Sequence, residues 1–509
     1  MAQRIFLLFL LFQVHAGFSQ TSLQKIALRN GSMDVGFRHY LSADSTRTYN
    51  RIFDWRTKSV ARPIPISLWY PAKETINNTE PLKIIEYFEI LKVEEEWEYL
   101  PNEQLLNWFY YPNTVANQNH LKEKTTAYKH NEPIYGRFPV VIYTPSYQAS
   151  SIENFALCEF LASHGYIVIS SPSRGTENRF FEGGTEKDLE TQARDVEFLI
   201  KEVGKVQNAD YNRIATMGFS FGGMANMLAQ MRNKNIKAVI SLDGSERYQY
   251  TTLKRSPFFN IEKIDIPYMH LAQKDIPELV LKEDNINAEL NYEFELYDSI
   301  VYSDAFQLKF HNLTHSHFST LGVLFEPRDQ RQDKSDLEIM ESYRLVSEYT
   351  LNFLNAFFKD DTGAVHFLEN EPSENRVEKG LITKQFKKKK NLPMNFQDFN
   401  ELALKQNYEH LYELYKSILE KNPTMQLPEG NLNNLGLQLV FNPKTSQKGI
   451  NVFLFATGIY PNSANLFDSL AEAYLFMGDK EKAIENFKKS LKLDSQNQNA
   501  VDRLKLLEN

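Results

Sequence analysis

One hexapeptide constrains this chain more than any other feature. Gly218-Phe219-Ser220-Phe221-Gly222-Gly223 follows the apolar run IATM directly and opens a helical pattern, MANMLAQM. A strand that turns this tightly into a helix forces the serine into a strained backbone conformation. Small neighbours are then required, because side chains beside it would meet the sheet and the helix. The hydroxyl is raised above the rim of the sheet, at a helix N-terminus whose dipole favours negative charge. The motif therefore implies a strand-turn-helix unit, and with it a mostly parallel sheet with helices packed on its faces.

The rest of the chain supplies the partners for such a sheet. Short apolar runs of the length buried parallel strands need occur at Pro139–Tyr143, Tyr166–Ser170, Ile214–Met217 and Lys237–Leu242, then at Tyr268–Leu271 and Phe306–Phe310. Helical patterns at Ile152–His164 and Leu189–Val203 alternate with them, as βαβ crossovers require. Arg62–Tyr70 also reads as a strand, one near the sheet edge because Pro63 and Pro65 interrupt its ladder. Residues 21–375 form this α/β domain. Within it, residues 72–135 interrupt the strand series with a helical, aromatic-rich insertion. This insertion could serve as a lid over a substrate pocket or as a surface helix pair with its own small core.

A chain of 509 residues exceeds one hydrophobic core, and the remainder divides by composition. Residues 1–20 read as a signal peptide: Arg4, the apolar stretch Ile5–Phe12, then small residues at Ala16, Gly17 and Ser19. Export to the periplasm or the medium is the expectation, and no other segment is long and apolar enough to span a bilayer. Residues 376–394, including the lysine run Lys387–Lys390, read as a basic linker. Residues 395–509 read as helical repeats. Gly449, Phe453 and Ala456 lie 34 residues before Ala483, Phe487 and Ser490, and Phe467, Leu470, Ala471, Tyr474 and Gly478 complete the later unit. Small residues in this pattern let paired helices approach closely, and the tail resembles tetratricopeptide repeat proteins, which implies a possible protein or peptide partner. The net charge of −8 gives no reason to expect nucleic acid. The single cysteine, Cys158, allows no internal disulfide and reads as a small buried hydrophobe.

A serine at such a turn needs a base, and the base needs an orienting group. After the last strand the sequence reads His311-Asn312-Leu313-Thr314-His315-Ser316-His317-Phe318, where a returning loop can reach Ser220. Of its three histidines we take His315 as the base. Zinc is the competing use of a His-x-His pair, but no third ligand is evident nearby. Two carboxylates can orient the imidazole: Asp243, ending KAVISLDG, and Asp275, in YMHLAQKD. Loops at the carboxyl ends of neighbouring parallel strands share one crevice, so either position is geometrically possible.

The segments RPIPISLWYPA, RFPVVIYTPS, LASHGYIVISSPSRG, MGFSFGG, SLDG and LTHSHF occur in an order that resembles the platelet-activating-factor acetylhydrolase and dienelactone-hydrolase-like branch of the α/β-hydrolase superfamily, over residues 30–360. The resemblance implies the α/β-hydrolase fold, followed here by the all-α tetratricopeptide-like domain. It also implies cleavage of a small-molecule or lipid ester without metal or organic cofactor. Carried over, it makes Ser220 the nucleophile, Asp243 the acid and His315 the base. The oxyanion donors it implies are the backbone amides of Phe221 and Tyr147, although Pro145-Ser146-Tyr147 stands where these enzymes usually carry His-Gly.

Overall fold

The computed structural model describes residues 21–508 apart from 53–58, 75–79, 284–285, 328–330 and 391–393. The expected signal peptide, residues 1–20, lies outside the described residues. Two compact units divide the chain, residues 1–390 and 391–509.

The first unit is built on one ten-stranded sheet. Its strands are β1 (Asp34–Tyr49), β2 (Val60–Ala72), β3 (Ala127–Lys129), β4 (Phe138–Thr144), β5 (Ile167–Ser170), β6 (Ala209–Phe219), β7 (Ile236–Leu242), β8 (Tyr268–Ala272), β9 (Ala305–Phe310) and β10 (Ile382–Lys387). Their spatial order is β3-β1-β2-β5-β4-β6-β7-β8-β9-β10. From β5 to β9 every pairing is parallel, while β1–β2, β2–β5 and β9–β10 are antiparallel. The chain reverses direction across the sheet at β4, so the loops after β4 and β6 open on one crevice at the strands' carboxyl ends. Helices Phe155–Ser163 and Asp336–Phe358 cover one face, and Glu186–Val203 and Phe221–Arg232 the other, each pair sealing an apolar core. This is the mostly parallel α/β architecture expected of an α/β-hydrolase, and Cys158 is buried in its core.

As expected, β2 lies near one edge of the sheet, third of ten after β3 and β1. Its prolines are tolerated because β5 pairs only with Ser67–Trp69, which leaves the stretch holding Pro63 and Pro65 with one neighbour. Two expectations need correction. The basic linker is partly structured: Ile382–Lys387 forms β10, antiparallel to β9. Phe386 stacks on Phe306 with ring centroids 4.5 Å apart, and Lys384 donates to the final carbonyl oxygens of helix Thr362–Glu369. The lysines hid an alternation that the sheet uses.

The insertion, secondly, is neither wholly helical nor a separate small core. Helices Ile84–Glu94, Leu105–Trp108 and Val115–His120 lead into β3, which joins the sheet edge beside β1. Tyr87 is fully buried between Phe37 and Phe155. Its hydroxyl accepts from Trp69 Nε1 at 2.8 Å and donates to Glu159 Oε1 at 2.7 Å. The buried Glu94 carboxylate ends the first of these helices and accepts from the hydroxyls of Ser150 and Ser151. These buried, fully bonded groups fix the insertion to the sheet domain as one of its walls.

The second unit consists of helices from Phe396 to Glu508. A methyl group added at Gly436 would lie 2.6 Å from the Phe453 ring, and one at Gly449 would lie 2.4 Å from Val440 Cγ2. Helices Glu429–Val440 and Ser446–Ile459 thus pack closely enough that only glycine fits at these crossings. Ala483, Phe487 and Ser490 occupy the corresponding buried face of helix Lys480–Leu493. Among the described residues no helix is long and apolar enough to cross a membrane.

Candidate active site

Ser220 stands between β6 and helix Phe221–Arg232, with φ 54° and ψ −121°. A non-glycine residue in this region is strained, and the surrounding backbone holds it there. Its amide donates to Leu242 O at 3.1 Å, and its carbonyl accepts from Gly223 N at 3.0 Å and Ser245 N at 2.8 Å. The flanking glycines are steric necessities. A Cβ at Gly218 would lie 2.4 Å from the Gly222 carbonyl carbon and oxygen, and one at Gly222 would lie 2.1 Å from Thr144 O. Gly222→Ala should therefore lower stability by about 1–3 kcal/mol, the usual penalty for overpacking, and depress any activity through Ser220 more than a hundredfold. Thermal denaturation read beside turnover checks both parts.

Asp243 and His315 complete a hydrogen-bonded chain with the serine. His315 lies in a short 3-10 turn, His315–Phe318, after β9. Asn154 fixes this loop by donating to Phe318 O at 2.9 Å and accepting from Thr320 N at 3.0 Å. His315 Nε2 is 2.9 Å from Ser220 Oγ, and Nδ1 is 2.6 Å from Asp243 Oδ2. A carboxylate can only accept, so Nδ1 carries the proton and Nε2 offers its lone pair to the serine hydroxyl. Asp243 is fully buried at the end of β7. Its Oδ1 accepts from Gln273 N at 3.0 Å and from the Tyr248 hydroxyl at 3.2 Å. Burial pushes the Asp243 carboxyl up, but the hydrogen bond and charge of His315, with the Gln273 amide, outweigh it and hold the group below its ordinary value.

The other candidates lie elsewhere. Asp275 is half exposed and paired with Lys309 Nζ at 2.6 Å, whereas the imidazole bonds Asp243. His311 bonds Thr383 on β10 through Nε2, and the buried His317 holds Thr314 and Gln332. Among the described residues no three His, Cys, Asp or Glu side chains gather to form a metal site.

On the opposite side of the serine, the backbone after β4 approaches the first turn of helix Phe221–Arg232. Phe221 opens that helix, so its N–H has no acceptor within it. Tyr147 lines the same pocket of about 310 Å³ as Ser220 and His315. The loop between them is fixed by Glu153, which the sequence reading missed. This buried carboxylate accepts from Ser146 N at 2.9 Å, from the Ser146 hydroxyl at 2.5 Å and from the Tyr143 hydroxyl at 3.1 Å. Burial drives its pKa up, and these donors offset only part of the rise. An acid at the head of the apolar run ENFALCEFLA was the available signal.

Residues 106–264 match the model of the X-Pro dipeptidyl-peptidase (S15) family, a span that contains Ser220 and Asp243 but stops short of His315. No curated protein sequence matches the chain. Among solved structures, a ferulic acid esterase from Streptomyces cinnamoneus is similar at a TM-score of 0.48 and 16% identity, over 71% of this chain and 99% of that one. The matched segment carries the turn at Ser220 and the aspartate that follows β7, and ends before the loop that bears His315.

Proposed function

We propose that this protein is an exported serine hydrolase that cleaves carboxylic esters through an acyl-enzyme intermediate on Ser220. The observation that carries the reading is the hydrogen-bonded chain Asp243–His315–Ser220 at the strained end of β6. His315 Nε2 takes the serine proton as Oγ attacks the ester carbonyl, and Asp243 fixes the tautomer and stabilises the imidazolium. The amides of Phe221 and Tyr147 hold the oxyanion, each worth about 3 kcal/mol in such sites. Water then releases the acid. The chemistry draws on no metal or organic cofactor. The order of motifs resembling the acetylhydrolase and dienelactone-hydrolase-like branch supports ester cleavage, and the aromatic wall beside the serine suits an apolar or lipid-like ester.

A peptidase acting through the same three residues is the second reading, favoured by the S15 family match. The two separate in one assay series, p-nitrophenyl esters against X-Pro p-nitroanilides. The ester reading expects turnover of the esters and none of the anilides; efficient cleavage of the anilides with inert esters would replace it by the peptidase. Export rests on the composition of residues 1–20. The helical unit we read as tetratricopeptide-like, offering a groove for a protein or peptide partner, on the strength of the recurrent small residues Gly436, Gly449 and Ala483 at its helix crossings.

A further inference from the structure

Two larger cavities adjoin the serine pocket on different sides. One, of about 600 Å³, shares Tyr111, Glu153 and Leu321 with it and is lined by Trp97, Trp108 and Phe109 of the insertion and by Phe180. The other, of about 760 Å³, shares His315, Ser316 and Glu326 with it. The chemistry distinguishes these cavities. The leaving oxygen must take its proton from His315 Nε2, so the alcohol departs on the side that the imidazole borders. The acyl substituent of the same carbonyl carbon then points away, toward the cavity that His315 does not touch.

We infer that the aromatic cavity is the acyl subsite and that it selects an acyl group bearing an aromatic ring. The inference rests on the ester reading above. The Trp97 and Trp108 rings stand edge to face at 4.6 Å, leaving indole faces for a third ring. Arg179, a cation in the wall, is neutralised by Glu95 at 2.8 Å and lies over the Phe180 ring at 4.8 Å, so it places no uncompensated charge against an apolar guest. In the acylation step the Ser220 Oγ–carbon bond forms and the carbon–alkoxy oxygen bond breaks. The proton lifted from Ser220 passes from His315 to the departing alkoxide. Water reverses the sequence: its hydroxyl joins the acyl carbon, its proton crosses His315 to Ser220, and the carboxylic acid leaves.

The test uses the purified full-length protein and three p-nitrophenyl esters: 3-phenylpropanoate, 3-cyclohexylpropanoate and acetate. The first two match in length and carbonyl reactivity and differ only in the ring. The expected result is a kcat/KM about 2- to 12-fold higher for the phenyl than for the cyclohexyl ester. Trp108→Ala should cut the ratio of phenylpropanoate to acetate turnover about tenfold, and Phe180→Ala, at a second half-exposed position, should cut it in the same direction. With the ring moved to the alcohol, as in benzyl acetate, neither variant should change the ratio to ethyl acetate. Equal use of phenyl and cyclohexyl esters, or a Trp108 effect that follows the ring to the alcohol, would overturn the acyl-subsite assignment while leaving the ester reading intact. Failure to cleave any ester, with no phosphonate adduct on Ser220, would overturn both.

Discussion

Asp243→Asn should lower kcat by about ten-thousandfold while leaving the fold in place. The reason lies in the two oxygens' different partners. Oδ1 receives the Gln273 amide and the Tyr248 hydroxyl, both donors, so the carbonyl oxygen of a substituted carboxamide must take that position. Its NH2 group then faces His315 Nδ1, which can meet it only with a lone pair. The ring proton is driven to Nε2, and the imidazole presents a donor to Ser220 where it needs an acceptor. Steady-state kinetics on the best ester measures the loss. A residual rate near that of the wild type would mean that the imidazole is oriented by something else.

The same residue predicts a pH signature. Its folded pKa lies below the unfolded value of about 3.9, so its ionisation favours the folded state. That contribution is fully present above the unfolded value and is lost as pH falls through the lower folded one. Chemical denaturation of wild type and Asp243→Asn should therefore differ at neutral pH and converge once pH has fallen below the folded value. Across the neutral range the carboxylate stays ionised, and an acid limb of activity there does not report Asp243.

Ser220→Ala has the largest expected effect, about a millionfold in kcat, because the nucleophile and base act as one unit. The fold should be nearly indifferent. Ser220 is held through its backbone amide and carbonyl, and among the described residues its hydroxyl bonds His315 alone. Alanine meets the same strain at φ 54° that serine already bears, so the melting temperature should stay within a few degrees of wild type. Loss of activity with an intact melting transition separates a chemical role from a structural one.

The sheet's interior was legible in the sequence because buried parallel strands leave continuous apolar runs, and β4 to β7 each do so, while β9 (AFQLKF) alternates apolar residues with Gln307 and Lys309. Its margins were not. β1 alternates polar and apolar residues through DVGFRHYLSADSTRTY, β3 has three residues, and β10 is carried by Ile382 and Phe386 among lysines. The turn at Ser220 was readable because its steric demands select glycine at 218 and 222. The choice between Asp243 and Asp275 was not, since both follow the ends of adjacent parallel strands. What separates them is a long-range contact, the ion pair that Lys309 makes with Asp275, and no local pattern encodes it. Glu153 escaped notice for a related reason: its partners Tyr143 and Ser146 lie across a turn, and only the folded chain brings them to one carboxylate.

The proposed catalysis depends on Ser220 being activated by His315. A fluorophosphonate probe added to the folded protein, followed by mass spectrometry of its peptides, measures that directly. The expected result is one stoichiometric adduct on the peptide containing Ser220, abolished in both Ser220→Ala and His315→Ala. No adduct on the well-folded wild type, or an adduct at another serine that persists in both variants, would contradict it.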